Sequence, residues 1–125
     1  MNKVLRVLVV LAAILFIVNG VRWLVNPAGI VGMFGFELSQ GLGLSSQIGD
    51  MSAYFLTLGI CMLTGVVANK SVWFYPPMML MGLTAMGRIL AWLVHDAALA
   101  TGLIIPELLI ALLLWIAASR LNEAD

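Results

Sequence analysis

Charged residues are scarce in this chain of 125 residues, making up 10% of it against about 25% in ordinary soluble domains. The mean hydropathy is +1.12. These values exclude a soluble globular domain and indicate a membrane protein. Six basic and six acidic residues give no net charge, and there is no cluster of basic residues. Nucleic acid is therefore excluded as a partner.

Cysteine and histidine occur once each, as Cys61 and His95. A single cysteine cannot form an internal disulfide, and one histidine leaves no spaced set of metal ligands. Neither a metal nor another cofactor is predicted, and no catalytic residue is assigned. Cys61 lies in an apolar run, where a free cysteine packs as a small side chain.

Long apolar runs make up most of the chain. A helix needs about 20 apolar residues to cross a membrane, and four stretches qualify: residues 4–25, 51–68, 76–95 and 102–119. The first has the basic start and apolar core of a signal peptide, but no small-residue cleavage site follows it. The sequence predicts one all-α domain over residues 1–125, an integral membrane four-helix bundle with up-down-up-down topology.

Basic residues distinguish the two sides of this bundle. One side, with both termini and the turn near residue 70, holds four of them: Lys3, Arg6, Lys70 and Arg120. The opposite side, residues 26–50 and 96–101, has no Lys or Arg. The positive-inside rule therefore predicts that both termini are cytoplasmic. The tryptophans fall near span ends, as interfacial belts require: Trp23, Trp73, Trp92 and Trp115.

The only long connection, residues 26–50, carries six of the twelve glycines together with many apolar residues. Asn26 and Pro27 suit the N-cap and first position of a helix. We expect a short interfacial helix and a folded loop, with a flexible glycine loop as the alternative.

In the second span, small residues recur every four positions, as Ala53, Thr57, Cys61 and Gly65. Such a ridge is typical of close helix packing. The sequence therefore predicts that this face of the second helix packs into the bundle.

Polar residues concentrate in the outer third of every predicted span. The set has seven members: Asn19, Arg22, Asp50, Arg88, His95, Asp96 and Glu107. Charges in a membrane persist when they are paired, and they often mark function. Two interpretations stand side by side. The charges form ion pairs that only fix helix register, or these pairs also line an outward-facing polar binding pocket.

Arg88 lies well inside the third span, on a face that it shares with Thr84 and His95. Helical side chains lean toward the helix N-terminus, here the cytoplasmic end. Arg88 would have to oppose that lean to reach the nearer, outer surface, so it needs a partner inside the bundle. Glu107 lies at matching depth in the fourth span and is the predicted partner, with Asp50 the next candidate.

Three short motifs carry a resemblance to a known family: GDMSAYFLTLG opens the second span, GRILAWLVHD lies in the third and PELLIALLLW in the fourth. With them the chain resembles a family of small bacterial inner-membrane proteins grouped as a four-helix domain of unknown function, and it is broadly similar to DoxX-like proteins. The resemblance implies the fold, the bacterial inner membrane, and typical Arg and Asp positions at Arg88 and Asp96. It implies no activity, and Ala97 stands where relatives often have glycine.

Three functional hypotheses follow. Small size and short turns favour a non-enzymatic accessory or scaffold subunit, in contact with the bilayer, with other membrane subunits or with a second copy. The alternative is a module that binds a lipid headgroup, a quinone-like molecule or another small amphiphile. In it, Arg22 and Arg88 would meet anionic groups. Four methionines either wall an apolar site or, as is more common, face lipid or pack in the core: Met78, Met79, Met81 and Met86. A membrane enzyme is the least favoured.

Cysteine accessibility tests the topology. In a Cys61→Ala background, Ser39→Cys and Thr101→Cys should react with a membrane-impermeant thiol reagent on intact spheroplasts, because both positions are predicted to face the periplasm. Ser71→Cys should react only after the membrane is opened. If only the Ser71→Cys variant is labelled on intact spheroplasts, the orientation is the opposite of the predicted one.

Overall fold

Four α-helices form the protein in a computed structural model that describes residues 1–124, with only the backbone of residues 123 and 124. They are α1 (Lys3–Val25), α2 (Gly41–Ala68), α3 (Tyr75–Val94) and α4 (Thr101–Ala124). Three 3₁₀ helices complete the described part: Pro27–Gly29, Val31–Phe34 and Ser71–Phe74. All four α-helices are long and apolar enough to cross a membrane. The predicted all-α, four-span fold is confirmed.

Neighbouring helices run antiparallel. At the start of α1, Arg6 Nη1 donates to the carbonyl oxygen of Val66, near the end of α2, at 3.0 Å. At the start of α3, the Tyr75 hydroxyl accepts from Asn122 Nδ2, near the end of α4, at 3.3 Å. The chain therefore runs up, down, up and down. We call the end with the 69–74 turn the proximal end, and the end with the 26–40 connection and the 95–100 turn the distal end.

The proximal half of the bundle is closely packed. Its fully buried side chains come from three α-helices and the 3₁₀ helix at the proximal turn: Val9, Ala13, Leu58, Met62, Phe74, Leu114 and Ala117. Lipid tails are as apolar as these side chains, so van der Waals packing has to hold the helices together. The distal half has fewer such contacts and encloses the cavity described below.

Helix α2 begins at Gly41, ten residues before the predicted start at residue 51. The other predicted spans begin within one residue of α1, α3 and α4. The 28 residues of α2 extend about 42 Å, more than the roughly 30 Å of a hydrocarbon core. Its polar first turns can therefore lie outside the hydrocarbon, which hydropathy alone does not reveal. Gln47, in these turns, accepts from the Ser39 amide and donates to the Glu37 carbonyl oxygen, each at 2.9 Å.

The connection is accordingly residues 26–40, and it folds back onto α1. Its helical part consists of two short 3₁₀ helices, with Asn26 and Pro27 at the start of the first, as expected for a short helix and a folded loop. Ile30 and Val31 are buried. Arg22 Nη2 donates to the carbonyl oxygen of Gly29 at 3.1 Å, which ties the connection to the end of α1.

Trp23 does not belong to the predicted interfacial belt. Its side chain is fully buried and packs against Phe34 and Phe36 of the connection, with ring centroids 6.2 and 6.5 Å away. Its indole nitrogen has no hydrogen-bond partner among residues 1–124, whereas an interfacial tryptophan directs this group to the headgroups. Trp23 therefore anchors the connection. The other three tryptophans are exposed.

The predicted packing face of α2 is wrong. Ala53 and Thr57 are exposed, and of the four predicted ridge residues only Gly65 is buried, against the Phe74 ring. The helix instead approaches α1 closely at Gly59. A β-carbon there would lie 2.6 Å from the Ala13 carbonyl oxygen and 3.1 Å from the Ile17 amide nitrogen. Because those atoms are backbone, only separation of the two helices could make room.

We therefore expect Gly59→Leu to destabilise the protein in detergent by about 1–3 kcal/mol or more, the usual range for overpacking. Ala53→Leu, on the exposed face of the same helix, is the matched control and should leave the thermal unfolding temperature nearly unchanged. An equal loss in both variants would contradict the packing of α2 through Gly59.

Candidate functional site

A cavity of about 650 Å³ occupies the distal half of the bundle. Small-molecule sites fall between about 300 and 1,000 Å³, so its size suits a small ligand. All four helices and the connection contribute to its lining. The apolar part includes Phe16, Phe34, Met51, Phe55, Met81 and Ile110, and the polar part comprises Asn19, Tyr54, Thr84, Arg88 and Glu107.

Small residues on two helices leave this space open. Ala12 on α1 and Ala91 on α3 line the cavity. Gly87, one turn before Ala91, also lines it, and a β-carbon at Gly87 would meet no atom within 4 Å. The two helices therefore leave room between them here, whereas α1 and α2 are in close contact at Gly59.

Arg88 and Glu107 form an ion pair across α3 and α4. Arg88 Nε donates to Glu107 Oε1 at 2.9 Å. The two side chains are 27% and 10% exposed, respectively. This contact confirms the predicted pairing. The pair forms because both residues lie at the same depth on facing helices. A charge in such a poorly solvated place is tolerated when an opposite charge neutralises it.

The ion pair engages only some of the hydrogen-bond donors and acceptors of its two side chains. A guanidinium has five N–H groups, and the four on Arg88 Nη1 and Nη2 find no acceptor among residues 1–124. Glu107 Oε2 likewise has no donor within that range. The Asn19 amide, on the opposite helix α1, makes no hydrogen bond to the described residues. Unused donors and acceptors are therefore present together in the cavity lining.

Two hydroxyls extend this polar lining. Thr84 Oγ1 donates to the Leu80 carbonyl oxygen at 2.6 Å and lies 3.0 Å from the Tyr54 hydroxyl. Because the single Thr84 proton is directed to Leu80, Tyr54 donates to Thr84. The Tyr54 oxygen thereby keeps only acceptor capacity toward the cavity.

Exposed lining residues show where the cavity opens. Leu15, at the middle of α1, is 59% exposed, and Pro106 on α4 is also exposed. Both line the cavity. Phe34 covers part of the distal end, its ring centroid 5.3 Å from that of Phe55. Met33 and Phe36 of the connection, which also line the cavity, are 58% and 44% exposed. The exposed lining therefore lies both at the depth of the apolar spans and at the distal end.

The seven predicted site residues do not form one cluster. Three of them line the cavity: Asn19, Arg88 and Glu107. The other four lie outside it: Arg22, Asp50, His95 and Asp96. Asp50 is exposed on α2, and His95 and Asp96 are exposed where α3 ends, with His95 as its C-cap. Arg22 contacts the connection and has no carboxylate partner among the described residues. Helical spacing predicted shared depth, but not which side chains face inward.

Tyr54 is a lining residue that is not among the seven predicted from the sequence. Met51, Tyr54 and Phe55 line the cavity and, with Leu58, follow the three- and four-residue spacing of one helix face. That spacing is the feature of the sequence that indicates this face. The ridge of small residues indicates a different face. The four methionines of α3 do not form a wall of the cavity together. Met81 lines the cavity, but Met79 and Met86 are exposed on the outside of α3.

Among the side chains that the structure describes, no group of three or more from His, Cys, Asp or Glu could hold a metal ion. None of the family models, curated proteins or solved structures compared with the chain matches it. The resemblance to DoxX-like proteins therefore stays a prediction, and function has to be inferred from the cavity itself.

A double-mutant cycle tests the ion pair. Arg88→Met and Glu107→Gln should each lower stability in detergent by about 1–3 kcal/mol, below the 3–5 kcal/mol typical of a fully buried pair, because Arg88 is partly exposed. The double variant should lose less than the sum, by about 0.5 kcal/mol or more.

Arg22→Met is the matched control for this cycle, because Arg22 donates to Gly29 and not to a carboxylate. Combined with Glu107→Gln, it should give an additive loss. Additivity in the Arg88 cycle as well would show that the observed contact contributes nothing to stability.

Proposed function

We propose that this protein binds a small amphiphile from the membrane in its distal cavity. The observation that carries the proposal is the Arg88–Glu107 ion pair in the lining of a largely apolar cavity. This is the second of the hypotheses that follow from the sequence. It is preferred to an accessory subunit because the cavity supports it directly, whereas no feature of the described residues favours a particular protein partner.

The lining matches an amphiphile in its division between polar and apolar parts. Aromatic and aliphatic side chains such as Phe16, Phe55 and Ile110 suit an acyl or prenyl chain. Arg88 and Glu107 suit a polar headgroup, which they would fix in orientation. Binding sites for small molecules commonly combine apolar walls with a few placed polar groups.

The position of the opening supports a ligand that arrives through the bilayer. Leu15 lies at the middle of α1, a helix that is apolar enough to span a membrane. A lining residue exposed at that depth faces lipid tails, and Phe34 covers part of the cavity toward the distal end. A membrane-dissolved amphiphile would reach the cavity without crossing water.

The same proposal includes the location of the cavity in the cell. The basic residues at the proximal end include Lys3, Arg6 and Lys70, and the positive-inside rule favours that end in the cytoplasm. In a bacterial inner membrane the distal cavity would then lie in the outer leaflet. The ligand would be taken from that leaflet.

Filling the cavity tests the proposal. Three probes share one oleyl-type chain: 1-monoolein, methyl oleate and oleyl sulfate. Native mass spectrometry of the protein in detergent should show a saturable one-to-one adduct with at least one of them. Gly87→Phe, which places a ring in the cavity, should weaken that adduct by about tenfold or more, a loss of about 1.4 kcal/mol.

Gly82→Phe is the matched control. Gly82 lies on the same helix, a β-carbon there also meets no atom within 4 Å, and the residue does not line the cavity. Its adduct should equal that of the unmodified protein. The proposal is wrong if no probe gives a saturable adduct, or if both phenylalanine variants bind equally well.

A further inference from the structure

The charges in the cavity lining indicate the headgroup of the ligand, an inference that rests on the proposed function. Arg88 and Glu107 are the only charged side chains among the lining residues. Their direct contact at 2.9 Å makes the pair neutral as a whole. The two charges of the cavity are therefore already matched to each other before any ligand enters.

A charged headgroup would disturb this balance. An anion beside Arg88 would also lie beside the Glu107 carboxylate, and the lining would then carry one unmatched negative charge. A cation would leave one unmatched positive charge. In a poorly solvated, largely apolar cavity, an unmatched charge is strongly unfavourable.

Arg22 does not supply the missing positive charge. Its Nη2 is engaged by the Gly29 carbonyl oxygen, and its Nη1 lies 3.9 Å from Met33 Sδ. Met33 stands between Arg22 and the cavity, and Arg22 does not itself line it. Its charge is partly exposed, so it is screened.

The unused hydrogen-bonding groups narrow the headgroup further. Arg88 Nη1 and Nη2 and the Asn19 amide can donate, whereas Glu107 Oε2 and the Tyr54 oxygen can only accept. A ligand that only accepts hydrogen bonds would leave Glu107 Oε2 without a donor. A hydroxyl group satisfies both kinds, because it donates and accepts.

We propose that the cavity binds an uncharged amphiphile whose headgroup carries hydroxyl groups, one accepting from Arg88 and one donating to Glu107. Long-chain monoacylglycerols represent this class. Arg88 thus acts as a hydrogen-bond donor within a neutral pair and not as an anion receptor, which replaces the anionic headgroup expected from the sequence.

The three oleyl-type probes test the inference because they differ only in the headgroup. 1-Monoolein is uncharged and both donates and accepts, methyl oleate is uncharged and only accepts, and oleyl sulfate is a permanent anion. In native mass spectrometry the unmodified protein should bind 1-monoolein about tenfold more tightly than either of the others. Equal or tighter binding of oleyl sulfate would overturn the inference while leaving the proposed function intact.

Glu107→Gln provides a reversal of selectivity. The glutamine oxygen can still accept from Arg88 Nε, but the lining now carries a net positive charge. The affinity for oleyl sulfate should rise at least tenfold and exceed the affinity for 1-monoolein. Asn19→Lys adds a positive charge to the lining with the ion pair intact and should shift the preference in the same direction.

Thr101→Lys is the control for the lysine variant, because Thr101 is exposed and does not line the cavity; this variant should keep the preference for 1-monoolein. An unchanged ratio of oleyl sulfate to 1-monoolein in both charge-altering variants of the lining would show that charge balance does not select the ligand. Failure of all three probes to bind the unmodified protein would instead contradict the proposed function, and the inference with it.

Discussion

The ion pair between Arg88 and Glu107 is the constraint on which the distal half of the protein depends. An arginine inside a membrane span is costly without an opposite charge, so α3 and α4 have to bring these two residues to the same depth. The contact sets the register of the two helices and places a polar group in an apolar surrounding. Because the pair is neutral, it adds hydrogen-bonding capacity to the cavity without adding net charge.

Packing at the two ends of the bundle is unequal, and the inequality creates the site. At Gly59, α2 contacts the backbone of α1, and the proximal half fills with side chains such as Leu58 and Leu114. Toward the distal end the lining includes Ala12, Gly87 and Ala91, and a space of about 650 Å³ remains. We propose that this space holds the chain of an amphiphile, whose van der Waals contacts with the lining would then add to the stability of the protein.

The connection contributes both to the packing of the distal half and to the covering of its cavity. Trp23 is buried beneath it, and Phe34 reaches from it over the cavity to Phe55. Arg22, one turn from Asn19, is engaged in holding the connection. Arg22 therefore supports the connection, whereas Arg88 lines the cavity. This division leaves Arg88 as the only cationic group in the lining.

The sequence alone determined the four spans, their alternating directions and the partner of Arg88. These follow from hydropathy and depth, which are properties of each segment and of the membrane. The inward faces were decided only by the tertiary structure. The ridge from Ala53 to Gly65 looked suited to packing, yet Gly59 and Tyr54 face inward, because the shape of the neighbouring helices selects the face. Likewise Arg22, Asp50 and His95 lie toward the same end of the bundle as Arg88, but they do not line the cavity. Depth is encoded locally, whereas rotation about the helix axis is set by the surfaces that meet.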